Sequence, residues 1–311
     1  MYKYIFGPVP SRRLGISLGV DLVTHKTCSL DCVYCECGAT TTLTSERKNY
    51  VPLKDVLGEL DHYFEHHDNP DYVTFSGSGE PTLNISIGKV IEFIKKRKKD
   101  VKVALLTNGT LFSKKEVRDD VLGADLIIPS LDAVSQRAFR RINRPCPGLD
   151  FREYVEGLAA LRREFNGAIW LEVLIIPGYN DAMEEFGSLK ESIEKIKPDK
   201  IQLNTLDRPG TLPDITSASR ENLENISNFL GFDNIEIIAA FKDQRKDIAF
   251  RKDIKEAIME TIERRPCTVE DLVSVLGKHV NEINKYLSKL DKEGKLRIIT
   301  RERGNFYTKK R

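Results

Sequence analysis

The stretch TCSLDCVYCE, residues 27–36, decides the fold and the chemistry of this chain. Its cysteines, Cys28, Cys32 and Cys35, have the spacing Cys-x3-Cys-x2-Cys. A four-iron cluster normally takes four thiolates, so three cysteines on one short loop leave one iron open to a small chelating molecule. The spacing therefore predicts a [4Fe-4S] cluster whose metal ligands are these three cysteines.

A zinc site is the alternative for this loop. Zinc loops pair Cys-x2-Cys with a second cysteine pair or with histidines at matching spacing, and no such group follows in the sequence. Cys37 would complete four local thiolates, but the step from Cys35 to Cys37 is too tight for an ordinary tetrahedral site. The role of Cys37 stays open, and Cys146 and Cys267, which stand alone, are interpreted as packing residues.

Length and charge predict two domains. A chain of 311 residues is long enough for one large domain and one small one. The formal net charge is only +2, but residues 1–241 carry 30 Lys and Arg against 35 Asp and Glu, whereas residues 242–311 carry 19 against 12. Basic charge is thus concentrated in the tail. We place a core domain at 1–245 and a small domain at 246–311.

The sequence gives no membrane signal. It contains no stretch of about 20 apolar residues and no basic, apolar leader. We therefore expect a cytoplasmic protein without a membrane span. Cysteines in a cytosolic chain serve as metal ligands or buried thiols more often than as disulfides, which agrees with the predicted cluster.

Residues 1–245 have the pattern of an α/β fold, because apolar β-branched runs alternate with longer amphipathic stretches. The predicted strands are 16–22, 72–76, 102–107, 126–130, 170–176, 200–204 and 235–240. The predicted helices include 53–66, 85–98, 151–165 and 183–195. About six β/α units are too few for a closed eight-fold barrel. The predicted fold is a partial (β/α)6 TIM-like barrel with a parallel sheet.

The tail has a different pattern. Amphipathic helices are predicted at 254–262, 268–276 and 280–290, the second with Thr268 as its N-cap and Asp271 three residues on. Segments 296–300 and 305–308 predict a β-hairpin. Three helices followed by a basic hairpin are typical of a winged helix-turn-helix domain.

The sequence resembles the radical S-adenosylmethionine (radical SAM) superfamily through motifs that occur in one order along the chain. The cysteine motif, with Tyr34 before its last cysteine, is followed by GSGEP (77–81), LTNG (106–109), SLDA (130–133) and LIIPGYND (174–181). The segments GPVPSRRLG (7–15) and FSGSGEPTL (75–83) look most like the wyosine-synthase-related branch. The resemblance covers roughly residues 7–245.

The resemblance implies an activity and two cofactors. Three irons of the [4Fe-4S] cluster would be held by the cysteines, and the fourth would bind the amino and carboxylate groups of S-adenosylmethionine. One electron, from a reductant such as ferredoxin or flavodoxin, would cleave this cofactor to methionine and a 5′-deoxyadenosyl radical that abstracts hydrogen from a substrate. The chemistry belongs to the cofactor, while the protein supplies position and shielding.

The resemblance also implies cofactor-binding residues, all placed after strands, where ligands of parallel β/α folds bind. Gly77, Gly79 and Glu80 would bind the methionine part, with Glu80 accepting from its ammonium group. The usual family pattern is Gly-Gly-Glu, and Ser78 is interposed here. Contacts to the carboxylate and the ribose are implied for Thr107, Asn108, Ser130 and Asp132.

An apolar surface for the adenine is implied for Tyr34 and Ile176, although an Ile at a strand end is equally often core packing. Several loop arginines could bind a substrate phosphate or carboxylate. They are Arg12, Arg13, Arg140, Arg141, Arg144 and Arg208. We expect at most two to do so, with Arg208 first, and we interpret His25 and Lys26 as structural or exposed.

Three functions compete. An RNA-modifying enzyme would use the basic tail to bind phosphates. Wyosine synthesis itself is not predicted, because that chemistry looks to need cysteines upstream of the motif and none precedes Cys28. A protein- or peptide-modifying enzyme, including a glycyl-radical-enzyme activase, would use the winged helix for docking. A redox-sensing regulator would leave the S-adenosylmethionine motifs unused.

The tail offers two candidate surfaces for a macromolecule. The predicted recognition helix would present His279, Asn281, Asn284, Lys285 and Ser288. The hairpin region would present the basic residues Arg297, Arg301, Arg303, Lys309, Lys310 and Arg311. Of these, the hairpin region is the better basic cluster, although a solvated helix face and an inert basic terminus are common alternatives.

Overall fold

The computed structural model describes residues 2–11, 13–133, 135–212, 214–238, 254–278 and 280–310. The strands are Ile5–Ser11 (β1), Gly15–Val20 (β2), Thr27–Cys28 (β3), Thr42–Leu43 (β4), Tyr72–Phe75 (β5), Lys102–Thr107 (β6), Leu126–Pro129 (β7), Ala168–Ile175 (β8), Lys200–Thr205 (β9), Ile235–Ile237 (β10), Leu296–Arg301 (β11) and Gly304–Lys309 (β12). The helices are Leu53–His66 (α1), Ile87–Arg97 (α2), Lys115–Val121 (α3), Gln136–Ala138 (α4), Phe151–Glu164 (α5), Met183–Ile196 (α6), Arg220–Leu230 (α7), Ile254–Arg264 (α8), Val269–Leu276 (α9) and Val280–Lys292 (α10). Short 3-10 turns cover Pro81–Leu83 and Thr110–Ser113, and a π-helical turn covers Phe139–Asn143.

In the described part of the chain, eight strands form one sheet in the order β1-β2-β5-β6-β7-β8-β9-β10. All neighbours from β2 to β10 are parallel, and only β1 pairs antiparallel, with β2. Strands of a parallel sheet are covered on both faces, so they are apolar throughout. The four residues of β7 are all buried, as this requires. The sequence prediction of an α/β fold with a parallel sheet is confirmed.

Among the described residues, β1 and β10 are the two edge strands of the sheet. The sequence prediction missed β1, which contains Pro8 and Pro10. Proline cannot donate to a ladder and is confined to edge strands or irregular positions, and the β1–β2 register shifts between Phe6 and Val9. The predicted strand 235–240 is seen as Ile235–Ile237, and its last two residues lie outside the described residues.

The carboxyl ends of the parallel strands form one edge of the sheet, and this edge carries the candidate site. The segments after β5, β6, β7 and β8 contain the glycine, asparagine, serine and isoleucine positions singled out from the sequence. Helices α1, α2, α5 and α6 cross between strands, and their apolar residues pack with the strands into one large core. The sheet thus brings residues from distant parts of the sequence to one place.

Residues 254–310 have their own apolar cluster, built from α8, α9, α10 and β11. Thr268 and Asp271 form the predicted capping box at the start of α9, and Gly277 ends α9 in the left-handed conformation. Strands β11 and β12 pair as an antiparallel hairpin. The elements are those predicted, the winged-helix class stays an interpretation, and the predicted boundary at 245 lies outside the described residues.

No helix in the described part of the chain has the length and apolar character needed to cross a bilayer.

Candidate active site

The cysteine loop runs from β3 to β4 and is fixed by backbone hydrogen bonds. The Thr44 N–H donates to the Cys28 carbonyl at 2.9 Å, and the Val33 N–H donates to the Ile142 carbonyl at 3.0 Å. All six cysteines are free thiols. Cys146 and Cys267 are buried, which agrees with packing roles. The loop therefore holds the three motif thiols, and that of Cys37, in place without a disulfide.

Each of the three motif sulfurs accepts a hydrogen bond from the side-chain nitrogen of a different residue. Asn108 Nδ2 lies 3.5 Å from Cys28 Sγ, and Asn143 Nδ2 lies 3.4 Å from Cys32 Sγ. Lys26 Nζ lies 3.0 Å from Cys35 Sγ. The three donors come from different segments: Lys26 directly precedes β3, Asn108 directly follows β6, and Asn143 ends the π-helical turn.

The three thiols differ in pKa. Burial raises the pKa of Cys28 to about 12 and that of Cys32 well above its usual value. The pKa of Cys35 falls to about 6, because a hydrogen bond from Cys37 and the nearby Lys26 outweigh the effect of burial. Since metal ligands must be deprotonated, metal binding to these thiols releases protons.

The donor set fits a cluster better than a single metal ion. Within the described residues, no three His, Cys, Asp or Glu side chains converge closely enough to hold one ion. Zinc needs its four ligands around a single centre at about 2.3 Å, whereas the cysteines of a [4Fe-4S] cluster bind separate irons. Three half-buried, spaced thiols with an N–H donor to each sulfur suit the cluster.

The glycine segment after β5 packs directly on the backbone that leads into the cysteine motif. The Glu80 N–H donates to the Thr27 carbonyl at 3.0 Å, and the Lys26 N–H donates to the Ser78 carbonyl at 2.9 Å. A Cβ on Gly79 would overlap the Thr27 carbonyl oxygen. Gly77 has φ +141°, where a Cβ would also meet the Asp21 carboxylate. Glycine is needed here for the contact between two loops.

Glu80 is buried, and its carboxylate links the glycine segment to the residues at the end of β6. Its Oε1 accepts from the Thr82 N–H at 3.0 Å, the Thr82 hydroxyl at 2.6 Å and the Thr107 hydroxyl at 2.6 Å. Its Oε2 accepts from the Asn108 N–H at 2.7 Å. Burial raises the pKa of Glu80, and these hydrogen bonds act in the opposite direction. Oε2, with one protein donor, is the oxygen with capacity for a ligand ammonium group.

Asn108 and Ser130 stand after neighbouring strands. The Asn108 Oδ1 accepts from the Thr110 N–H at 3.0 Å and from the Thr110 hydroxyl at 2.8 Å, so its amide nitrogen faces the cysteine loop. The Ser130 N–H donates to the Thr107 carbonyl at 3.1 Å, and its side chain is half-buried. The structure brings both residues to the edge that the sequence predicted.

The buried Asp132 and the half-buried Tyr34 form a hydrogen-bonded pair. The Tyr34 hydroxyl donates to Asp132 Oδ2, which also accepts from Asn143 Nδ2 at 3.2 Å, while Oδ1 accepts from the Leu174 N–H at 3.0 Å. Burial raises the pKa of Asp132 to about 6, and the hydrogen bond from Tyr34 acts in the opposite direction. In this structure Asp132 holds Tyr34 against the end of β8.

Ile176 has no exposed surface and packs in the main core. Its N–H donates to Asn180 Oδ1 at 2.8 Å. This is the core-packing alternative that the sequence left open, and a contact between Ile176 and adenine stays a prediction.

The arginines predicted to bind substrate are mostly engaged within the protein. Arg13 Nη1 lies 2.6 Å from Glu172 Oε2, and Arg144 Nη1 lies 3.6 Å from Asp31 Oδ2. Arg141 lies 4.8 Å above the Tyr179 ring. Arg140 is exposed, and Arg12 lies outside the described residues.

Arg208, the first arginine we expected to bind a substrate anion, is instead buried among carboxylates of the protein. Its side chain is 6% exposed and lies in ion pairs with Glu36 at 3.3 Å, Asp207 at 3.5 Å and Asp271 at 3.5 Å. Glu36 belongs to the cysteine loop and Asp271 to α9. The guanidinium therefore connects the cysteine loop to the C-terminal helices.

Sequence reasoning missed Lys26, which it interpreted as structural or exposed. His25 is exposed, but Lys26 is 2% exposed and its ammonium group lies against the thiols. The cause is its backbone, which has φ +55°, a left-handed conformation that is uncommon for a residue other than glycine. A lysine before a cysteine motif gives no signal of this conformation in one sequence.

Comparison with known proteins decides the family. Residues 22–189 match the Radical SAM superfamily. The chain belongs to this superfamily. It is therefore a radical SAM enzyme, and membership implies a [4Fe-4S] cluster and S-adenosylmethionine as cofactors.

Relatives cover the radical SAM core and the tail together. A UPF0026 protein of Methanocaldococcus jannaschii is 32% identical over 98% of this chain and 95% of its own length. A protein of Brachyspira hyodysenteriae named GTPase Obg is 37% identical over 95% of this chain, which spans only 43% of that protein. The present sequence has no Gly-x4-Gly-Lys-Ser/Thr phosphate-binding loop.

Solved structures share the fold. A radical SAM methyltransferase from Sphaerobacter thermophilus has a TM-score of 0.56 and 14% identity over 72% of this chain and 66% of its own. SuiB of Streptococcus suis bound to S-adenosylmethionine has a TM-score of 0.52 and 15% identity over 72% of this chain and 50% of its own. At such identities the likeness shows the radical SAM fold alone.

Proposed function

We propose that this radical SAM enzyme acts on a macromolecule, with RNA, and tRNA in particular, as the first candidate. The radical chemistry is supported by one observation, namely that three free cysteines and the predicted cofactor-binding segments meet at one edge of a parallel sheet. When bound, the [4Fe-4S] cluster and S-adenosylmethionine supply reductive cleavage to methionine and a 5′-deoxyadenosyl radical that takes hydrogen from the substrate.

Different residues of the chain have different proposed roles in binding the two cofactors. Cys28, Cys32 and Cys35 would ligate the cluster, and Glu80 Oε2 would accept from the ammonium group of S-adenosylmethionine. Thr107, Asn108, Ser130 and Asp132 would line the rest of the cofactor site, with Tyr34 as its apolar wall. Cys37, whose thiol donates to the Gly77 carbonyl at 3.5 Å, is left out of the ligand set.

RNA is supported by the C-terminal helix α10. Lys285, Lys289 and Lys292 are exposed and follow the spacing i, i+4, i+7, which places them on one helix face. Such a stripe can bind a phosphate backbone. The hairpin is less suited than the sequence suggested, because Arg303 pairs with Asp207 and Asp271. A winged helix that binds RNA through α10 is therefore part of the proposal.

The subgroup is proposed on the sequence segments 7–15 and 75–83, which look like the wyosine-synthase-related branch. Because the sequence has no cysteine before Cys28, we propose an RNA modification other than wyosine synthesis. The cytoplasmic location and a ferredoxin or flavodoxin as reductant stay predictions.

A peptide or protein substrate is the second candidate. The hairpin is attached to the core through Arg303, which forms ion pairs with Asp207 and Asp271. Such an attachment suits a docking module as well as a nucleic-acid binder. Among the structures of similar fold, SuiB has also been solved with its precursor peptide SuiA.

Anaerobic reconstitution with iron and sulfide, followed by dithionite and S-adenosylmethionine, tests the proposal. We expect 5′-deoxyadenosine from the native chain and none from Cys32→Ala. Stimulation by a cellular tRNA fraction supports RNA, and stimulation by a protein fraction alone moves the assignment to the second candidate. An intact four-iron cluster without any 5′-deoxyadenosine would contradict the enzyme proposal.

A further inference from the structure

We propose that Lys26, assisted by Asn108 and Asn143, is a positioning residue that raises the reduction potential of the bound cluster. The inference rests on the proposed function, because it requires the [4Fe-4S] cluster. It arises from the one-to-one match between three thiols and three side-chain nitrogen donors.

Lys26 is the strongest of the three donors. Its left-handed backbone is held on both sides, since its N–H donates to the Ser78 carbonyl at 2.9 Å and its carbonyl accepts from the Thr41 N–H at 3.0 Å. The side chain is directed inward and is 2% exposed. The structure therefore places a buried ammonium group at a defined point beside Cys35.

The ammonium group of Lys26 has no carboxylate partner in the part of the chain that the structure describes. In the described residues, no Asp or Glu forms an ion pair with Lys26, and the groups that act on it electrostatically include Cys35, Cys37 and Cys28. A buried charge is costly unless it is paired. A cluster ligated by three thiolates supplies the missing negative charge, so the site is complementary to an anionic group.

The two asparagines are oriented by their other contacts. Amide flips are assigned from the hydrogen-bond network. Asn108 Oδ1 faces the Thr110 N–H and hydroxyl, which leaves Nδ2 toward Cys28. Asn143 Nδ2 donates to the Asp132 carboxylate as well as to Cys32, and only the nitrogen end of the amide can do so.

The sign of the effect follows from charge. Reduction adds one electron to the cluster and its negative charge increases by one. A fixed positive charge and N–H donors at the sulfurs stabilise the more negative form more strongly, so they raise the potential. The amides should act in the same direction and more weakly, because they carry no net charge.

The test is a dye-mediated redox titration of the reconstituted full chain, followed by electron paramagnetic resonance of the reduced cluster. Lys26→Met removes the charge and the donor, and Lys26→Gln removes only the charge. Lys48→Met, at an exposed lysine after the motif, is the control. We expect Lys26→Met to lower the ratio of reduced to oxidised cluster at fixed potential about tenfold, which is about 59 mV for one electron.

We expect a smaller shift for Lys26→Gln and none for Lys48→Met. An unchanged potential in Lys26→Met with full iron content would overturn the inference. Loss of the cluster from both neutral variants would also overturn it, because Lys26 would then be needed for assembly. If the native chain binds a four-iron cluster but forms no 5′-deoxyadenosine, the proposed function fails while the potential still reports on Lys26.

Discussion

Cys37 differs from the other loop cysteines in what its sulfur contacts. Its single S–H is shared between the Gly77 carbonyl and Cys35, whereas the three predicted ligands accept from side-chain nitrogens. Among the described residues, no side-chain nitrogen donates to the Cys37 sulfur, and its hydrogen bond with Cys35, together with burial, raises its pKa. It is therefore a poor candidate for a fourth ligand.

We expect Cys28→Ala, Cys32→Ala and Cys35→Ala each to lose the cluster absorbance and all 5′-deoxyadenosine formation. Cys37→Ala should keep both, because its thiol is not a ligand. Iron and sulfide content after anaerobic reconstitution is the measurement. Loss of iron from Cys37→Ala equal to that from Cys28→Ala would contradict the assignment.

Glu80 offers a second test at the scale of one residue. Its oxygens face donors from Thr82, Thr107 and Asn108, so the NH2 group of a glutamine would meet a donor whichever way it turned. A buried donor left without an acceptor costs about 1–3 kcal/mol. We expect Glu80→Gln to lower the free energy of unfolding by that amount in urea titrations. Glu92→Gln, at an exposed position of α2, should change it by less than about 0.5 kcal/mol.

Equal stabilities of Glu80→Gln and the native chain would show that the site rearranges around an amide. In that case the carboxylate would matter only for ligand binding, and the four hydrogen bonds would not be the reason for its burial.

At the scale of elements, the two loops that form the site meet at Gly79. An alanine there would overlap the Thr27 carbonyl and push the glycine segment away from the cysteine loop. Overpacking of this kind costs about 1–3 kcal/mol. We therefore expect Gly79→Ala to lower both the melting temperature and the iron content.

Gly58 is the matched control, because it lies inside α1 and a Cβ there has no atom within 4 Å. Gly58→Ala should stabilise the protein by about 0.5–1 kcal/mol, since alanine favours the helix. A drop in melting temperature for both variants would show that close contact at Gly79 is not the cause.

The sequence was sufficient to predict most of the strands and helices of the core domain. Strand β6 and helix α1 have the predicted bounds, because their apolar periodicity is strong and clear polar residues flank them. Strand β1 was missed, since its prolines and its edge position remove the usual pattern. Pairing across the sheet depends on tertiary contacts and cannot be read from periodicity.

The positions of the site residues were predicted more completely than their partners. Glu80, Asn108 and Asp132 reach the predicted edge, but the structure shows each of them bound to neighbouring protein groups. The role of Lys26 depends on a backbone conformation, and that of Arg208 on residues from separate parts of the chain. Such dependence on distant residues has no signature in a single sequence.

At the scale of the whole molecule, ion pairs between described residues attach the C-terminal helices to the sheet, both toward β9 and toward β2. Arg303 and Arg208 join Asp207, which follows β9, to Asp271 at the start of α9. Arg264 of α8 lies 3.6 Å from Asp21, which follows β2. Because β2 and β9 lie toward opposite ends of the sheet, these helices bridge its carboxyl edge beside the cysteine loop.

The pH dependence of the free energy of unfolding tests this attachment, because Asp271 is one of its charged groups. Burial acts to raise its pKa, but Arg208, the Thr268 N–H and Arg303 outweigh burial and lower it. A carboxyl group whose pKa is lowered by folding stabilises the protein above its unfolded value, near pH 4, and loses this contribution as pH falls through the lower folded value. Asp271→Asn keeps an oxygen for the Thr268 cap but removes the charge.

We expect Asp271→Asn to be less stable than the native chain by about 1–3 kcal/mol at pH 7, as for loss of a hydrogen bond to a charged group. The difference should stay constant down to about pH 5 and shrink below pH 4. Urea unfolding between pH 7 and pH 3 measures it, with Asp291→Asn on the exposed face of α10 as control. A difference that persists unchanged at pH 3 would place the stabilisation in the shape of the side chain, and the attachment of α9 to the sheet would then not depend on the ion pairs of Arg208.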